Sequence, residues 1–300
     1  MKRALSVGAT LFGAATFAYT ISAIGLANVE QAIGRVGWAF AAILLLSSVR
    51  EVAKAAAWTQ TFTGTHRLSV VDAFCARLAG EAWSALVPMG FVVGEPTKAR
   101  YVDDQMPFAT AFSGLMLELA FYTASLGLFA ITALIQLAPS KAVLVVGVTA
   151  VAFVLALKPV RRAVTPVRRF VIDWPMRAGT IAALEIVYHG LGLAETYMIL
   201  RFVSPDAATW THAVAFETIS RGVSIVFKMV PMRVGVDEAS AALTATRLAL
   251  NPSTGLMLAL VRKLRVLFWT ALGLVAIAAR TIRRCAPART HSVAELQKSA

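Results

Sequence analysis

The chain has 300 residues, of which 58% are hydrophobic and 15% charged, with a mean hydropathy of +0.70. A soluble domain carries about 45–50% apolar and about 25% charged residues, so a soluble fold is excluded. The 29 Lys and Arg against 16 Asp and Glu, net +13, suit nucleic acid only when they share a hydrated face. Here they lie between long apolar runs, which sets nucleic acid aside and indicates an integral membrane protein.

In chain order, residues 4–27 carry no charge, and as a helix they reach roughly 36 Å, enough for a ~30 Å hydrocarbon core. This run is longer than the apolar core of a secretory signal peptide. A second predicted span begins near Gly37 and reaches the Arg50, Glu51, Lys54 cluster. Others follow at 108–136, 143–157, 179–200 and 255–279. Two further segments, 69–106 and 207–250, are apolar but broken by Pro, Gly and charge.

Loop cations orient such a chain. Lys2 and Arg3, then Arg50, Lys54 and Arg67, then the 158–177 stretch, then Arg280 to Lys298, give 16 cations on one side. The alternate loops offer 3: Arg35, Lys141 and Arg201. Both termini are therefore expected in the cytoplasm. Cys75 and Cys285 then face the reducing side or the membrane, and no disulfide is expected.

The two broken segments repeat each other. Val87-Pro88-Met89 leads through Gly94 to Glu95, and Val230-Pro231-Met232 leads through Gly235 to Glu238; Pro to Glu is seven residues in both. Arg77 precedes the first proline by eleven residues and Arg221 the second by ten. Downstream, Gly114-Leu115-Met116-Leu117 matches Gly255-Leu256-Met257-Leu258, and Leu-Gly-Leu recurs at 126–128 and 272–274. The expectation is an all-α polytopic membrane domain over about 1–280. It consists of two inverted repeats, about 1–137 and 138–280, followed by a short tail at 281–300. Each repeat holds three transmembrane helices and one re-entrant hairpin. A plain bundle in which each broken segment spans fully is the rival arrangement.

Irregular backbone at membrane depth survives only inside protein or beside a wet cavity, and intramembrane charge needs partners or water. The candidate substrate-binding residues are thus those at the breaks and in the helices beside them. They are Arg77, Glu81, Pro88, Glu95, Arg100 and Glu118 in the first half, and Glu217, Arg221, Pro231, Glu238 and Arg262 in the second. Arg77 and Arg221 would hold a headgroup, with Glu95 and Glu238 anchoring them or relaying protons; buried ion pairs fixing helix register are the alternative. Glu185 and His189 share a helical face, but no second His stands at ligand spacing, so a polar contact is favoured over a metal. No phosphate loop, dinucleotide fingerprint or nucleophile elbow is present. No catalytic residue, metal or cofactor is expected. The basic stretch from Lys158 to Arg169 suits anionic lipid or a solvated loop.

The stretch Arg77-Leu-Ala-Gly-Glu-Ala-Trp-Ser-Ala-Leu-Val-Pro88, with Gly94-Glu95 and Lys98-Ala99-Arg100, resembles the first signature of the lysylphosphatidylglycerol synthase transmembrane region, a flippase-like family. Pro231, Gly235, Glu238 and Arg262 resemble its second signature. Residues 185–195 and 217–265 are most similar to the hopanoid-biosynthesis-associated membrane proteins. The resemblance implies a bacterial inner-membrane protein that moves or handles lipids. Its implied partners are membrane lipids and, in the alternative of a non-transporting accessory, lipid-biosynthetic enzymes. The soluble synthase domain of bifunctional members is not expected, nor is aminoacyl transfer.

Overall fold

A computed structural model describes residues 34–285 apart from 35, 88, 138–157, 228 and 229. The predicted spans at 4–27 and 143–157, and three residues of the breaks, Pro88, Lys228 and Met229, lie outside the described residues. Among those described the fold is all-α.

Nine α-helices follow in order among the described residues. They are α1 (Ala39–Gln60), α2 (Val70–Leu86), α3 (Gly90–Tyr101), α4 (Phe108–Leu137), α5 (Lys158–Asp173), α6 (Pro175–Val203), α7 (Trp210–Val226), α8 (Val236–Arg247) and α9 (Pro252–Cys285). The first broken segment folds as α2 and α3 packed together, and the second as α7 and α8. Both open on a hydroxyl cap: Ser69 accepts from the Asp72 amide at 3.0 Å and Thr209 from the His212 amide at 3.1 Å. At the break Val87 and Val230 are extended, as a residue before proline must be. The following Met89 and Met232 both stand in the left-handed region, at φ 53° and 49°. That conformation is unusual for a long side chain; Met89 stands directly before α3, and Met232 lies in the turn that leads to α8. A 3₁₀ turn, Pro231–Arg233, fills the second break, and Gly235 opens α8 with the Glu238 carboxylate accepting from its amide at 2.8 Å.

Helices α1 and α6 pack along one another at the centre, with α2 and α3 on one side and α7 and α8 on the other. Helix α9 lies against α2, α6 and α8. A Cβ on Gly273 would strike the Leu78 carbonyl of α2, so glycine there permits the α9–α2 approach. One apolar core joins Ile43, Ile199, Phe216, Met232, Leu258 and Val261; a second joins Trp58, Phe62, Ala76, Val102 and Leu115.

Polarity is turned inside out relative to a water-soluble bundle. Leu45, Val71, Leu128, Val275 and Ile282 are exposed, whereas Arg50, Lys54, Arg77, Lys98, Glu118, Glu185, Glu195, Glu217 and Lys263 are buried. Among the described residues one stretch, Phe108–Ile131, is long and apolar enough to cross a membrane on hydropathy alone. The predicted spans in α1, α6 and α9 form helices but carry Arg50, Glu51 and Lys54, Glu185 and Glu195, and Arg262, Lys263 and Arg265. These charges, most of them buried, lower the local hydropathy. Arg50 and Lys54 are accordingly not loop cations, which corrects the charge tally.

Candidate functional site

Helix α1 turns Ser47, Arg50, Glu51 and Lys54 toward α6, α2 and α4, and α6 answers with Tyr188, Gly192 and Glu195 at helical spacing. With the inner faces of the two hairpins and of α4 and α9 they surround a cavity of about 660 Å³. That is the size of a small-molecule or headgroup site. Nine cations and seven carboxylates line it.

The ion pairs fall into two sets. In the first, Lys54 Nζ donates to Glu185 at 3.0 and 3.3 Å and pairs closely with Glu118. Arg77 lies 3.8 Å from Glu118 and 3.9 Å from both Glu51 and Glu81. Lys98, buried in the hairpin, donates to Glu81 and Glu95, each at 2.7 Å. With every group ionised, five carboxylates face three cations.

In the second set, Arg50 and Arg265 share Glu195 at 2.5 and 2.7 Å. Arg221 and Arg262 share Glu217, which also accepts from the Thr196 hydroxyl at 2.8 Å. Arg233 pairs with Asp237 at 2.9 Å, and Lys263 pairs with Glu238. Six cations here face four carboxylates. Among the described residues no ion pair joins the two sets, so the cavity has an acidic end and a basic end. Two tyrosines stand between. Tyr122 lies under the Lys54 ammonium at 4.1 Å and its hydroxyl accepts from Arg221 at 3.3 Å. Tyr188 faces the Arg50 guanidinium at 4.6 Å.

Gly192 makes room at the basic end. A Cβ there would lie 3.0 Å from Arg221 Nη2 and 3.1 Å from both Arg50 Nη2 and Glu217 Oε1. Arg77 Nε, Arg50 Nε and Arg265 Nε are buried without a hydrogen-bond partner. Unused donors of this kind suit an added acceptor such as a phosphate oxygen.

Of the sequence candidates, Arg77, Glu81, Glu95, Glu118, Glu217, Arg221 and Arg262 line the cavity. Glu238 contacts it through Lys263 and spends its other oxygen on the Gly235 amide. Pro231 shapes the turn between two lining residues, Val230 and Met232, and Pro88 lies outside the described residues. Arg100 is not brought to the cavity: it ends α3, exposed, with its guanidinium 5.9 Å from the Phe108 ring. Expected anchoring of arginines by Glu95 and Glu238 is also corrected, because both carboxylates hold lysines, Lys98 and Lys263. Glu185 and His189 do not pair with each other; His189 Nε2 meets Ser125 at 3.0 Å and its ring stacks on Tyr122. No group of three potential metal ligands occurs among the described residues.

Sequence reasoning missed Arg50, Lys54, Tyr122 and Tyr188 as cavity residues, and Thr196 as the buried hydroxyl that holds Glu217. The signal was there for the first two: Ser47, Arg50 and Lys54 fall at i, i+3 and i+7, one face of a helix.

An all-helical protein whose charges line an internal cavity and whose apolar side chains face outward is of the membrane-embedded kind. The chain belongs to the lysylphosphatidylglycerol synthase transmembrane-region family, whose model matches residues 5–273. No curated protein and no solved structure gives a significant match.

Proposed function

We propose that this protein is a lipid flippase or lipid transporter, which binds a polar or anionic headgroup in the cavity between two inverted repeats of a multi-pass inner-membrane domain. The observation that carries this reading is the two-ended cavity, to which both hairpins contribute charged side chains. A headgroup phosphate fits the basic end, where Arg50, Arg221, Arg262 and Arg265 outnumber Glu195 and Glu217. Hydroxyl or ammonium groups fit the acidic end beside Glu51, Glu81 and Glu118.

Several features support the repeat. The first helices of the two hairpins are each 17 residues long and the second helices each 12. Each break carries a left-handed Met in a Val-Pro-Met triplet. The packing of α2 on α9 has its counterpart in α7 on α4, and that of α1 on α2 in α6 on α7. In this arrangement the hairpins are re-entrant, one from each side, and both termini are cytoplasmic.

Native mass spectrometry of the detergent-solubilised protein, titrated with phosphatidylglycerol and phosphatidylethanolamine, tests the binding step. The wild type is expected to retain lipid that the double variant R221A/R262A loses by tenfold or more at equal lipid. Equal retention by both proteins would remove the headgroup from the basic end.

A further inference from the structure

Helix α5, Lys158–Asp173, was a basic loop in the sequence and is a helix in the structure. At 100° per residue its Val, Phe, Lys and Arg positions fall on two opposite arcs, with Ile172 on the cationic one. Val160, Val164, Val167, Phe170 and Val171 occupy one arc, and Lys158, Arg161, Arg162, Arg168 and Arg169 the opposite one. The protein covers only part of the apolar arc. Phe170 is buried against Ala57, Ala178 and Ile181, but Val171 is 42% exposed. Ile172, inside α5 but at a position on the cationic arc, is also exposed, and past the helix the exposed apolar run continues with Trp174 and Met176, the last at 86%. Arg168 and Arg169 are exposed beside it. The turn is held in place, since Arg177 donates to the Phe62 carbonyl at 2.7 Å and sits 5.7 Å from the Trp174 ring.

An apolar strip under a cationic strip, with Trp and Met at its end, is the pattern of a helix lying in the plane of a membrane surface. Water leaves the apolar residues uncovered, whereas the protein already occupies the Phe170 side. The cations select the charge of the surface they meet, by about 1 kcal/mol for each Lys or Arg close to it. We propose that α5 and the turn from it into α6 at Trp174 form an interfacial anchor that recruits anionic phospholipid around the protein. This site is separate from the cavity and needs no transport.

Full-length protein carrying M176C with a bimane label, in a C75S/C285S background, is placed in nanodiscs of mixed phosphatidylcholine and phosphatidylglycerol. In one preparation only the phosphatidylglycerol acyl chains are brominated, in the other only the phosphatidylcholine chains. The expected result is quenching in both, at least about twofold stronger from the brominated anionic lipid at equal mole fraction. The variant R161Q/R162Q/R168Q/R169Q is expected to keep the quenching and lose the difference. Absence of quenching by either lipid overturns the proposal, because the turn would then lie in water or under protein. Equal quenching in the unsubstituted helix overturns it as well. Loss of both signals when a soluble polyanion such as duplex RNA is added would assign the helix to that partner and also overturn it.

Discussion

Arg221 of α7 and Tyr122 of α4 meet between the two charged sets of the cavity, Nη1 donating to the phenolic oxygen at 3.3 Å. No ion pair among the described residues spans that divide, so this hydrogen bond and the cations facing Tyr122 and Tyr188 are what link the acidic end to the basic end. Y122F removes the hydroxyl and keeps the ring. Its melting temperature is expected to change little, since one exposed-to-cavity hydrogen bond contributes about 0.5–1.5 kcal/mol. Its lipid translocation rate is expected to fall by several-fold in proteoliposomes, because Arg221 loses its second tether.

Glu217 is the shared carboxylate of Arg221 and Arg262 and the acceptor of the Thr196 hydroxyl. E217Q keeps the shape but leaves two guanidinium groups without a counter-charge in a largely buried site. Removing one partner of a buried pair costs about 3–5 kcal/mol. Chemical unfolding in detergent is expected to show a loss of that size, larger than for E95Q, whose partner Lys98 retains Glu81.

A Cβ on Gly192 would lie 3.0 Å from Arg221 Nη2 and 3.1 Å from Arg50 Nη2 and Glu217 Oε1. G192A is expected to push Arg221 or Arg50 out of place, at about 1–3 kcal/mol for overpacking, and to weaken phospholipid retention by roughly tenfold. The comparison is G222A, where a Cβ meets nothing within 4 Å. Retention by G222A is expected to match the wild type.

These residues also mark how far the sequence could be read. The breaks at Pro88 and Pro231 were visible because proline after an extended Val, followed by Gly and an acid, has no place in a continuous helix. Arg77 and Arg221 stood out because a charge in an apolar run needs a reason. Arg50 and Lys54 did not, because charge beside a predicted turn is explained equally well by a cytoplasmic loop; only the continuation of α1 to Gln60 places them inside. Arg100 went the other way, sharing its segment with Lys98 yet falling on the outer face of α3. The division into an acidic and a basic end was not legible at all. It depends on which helices touch, and residues such as Arg50 and Glu195 are 145 positions apart.

Lys54 is the cation common to Glu118 and Glu185, both of them buried. K54M leaves those carboxylates facing one another across a site from which water is largely excluded. The variant is expected to unfold at markedly lower denaturant than the wild type. The double variant K54M/E185Q, which removes one of the two charges, is expected to recover part of the loss, as double-mutant coupling between contacting residues requires.

The central claim is that a lipid headgroup passes through the cavity by way of its basic end. Its most direct test is the initial rate of transbilayer movement of headgroup-labelled phospholipids in proteoliposomes, compared among wild type, R221A, R77A and empty vesicles. Wild-type protein is expected to accelerate movement of at least one phospholipid class. R221A is expected to lose at least tenfold of that acceleration, and R77A, whose guanidinium has three carboxylate neighbours, to lose it as well. Rates with wild-type protein no faster than in empty vesicles across anionic and zwitterionic lipids, or wild-type rates in R221A, would contradict it.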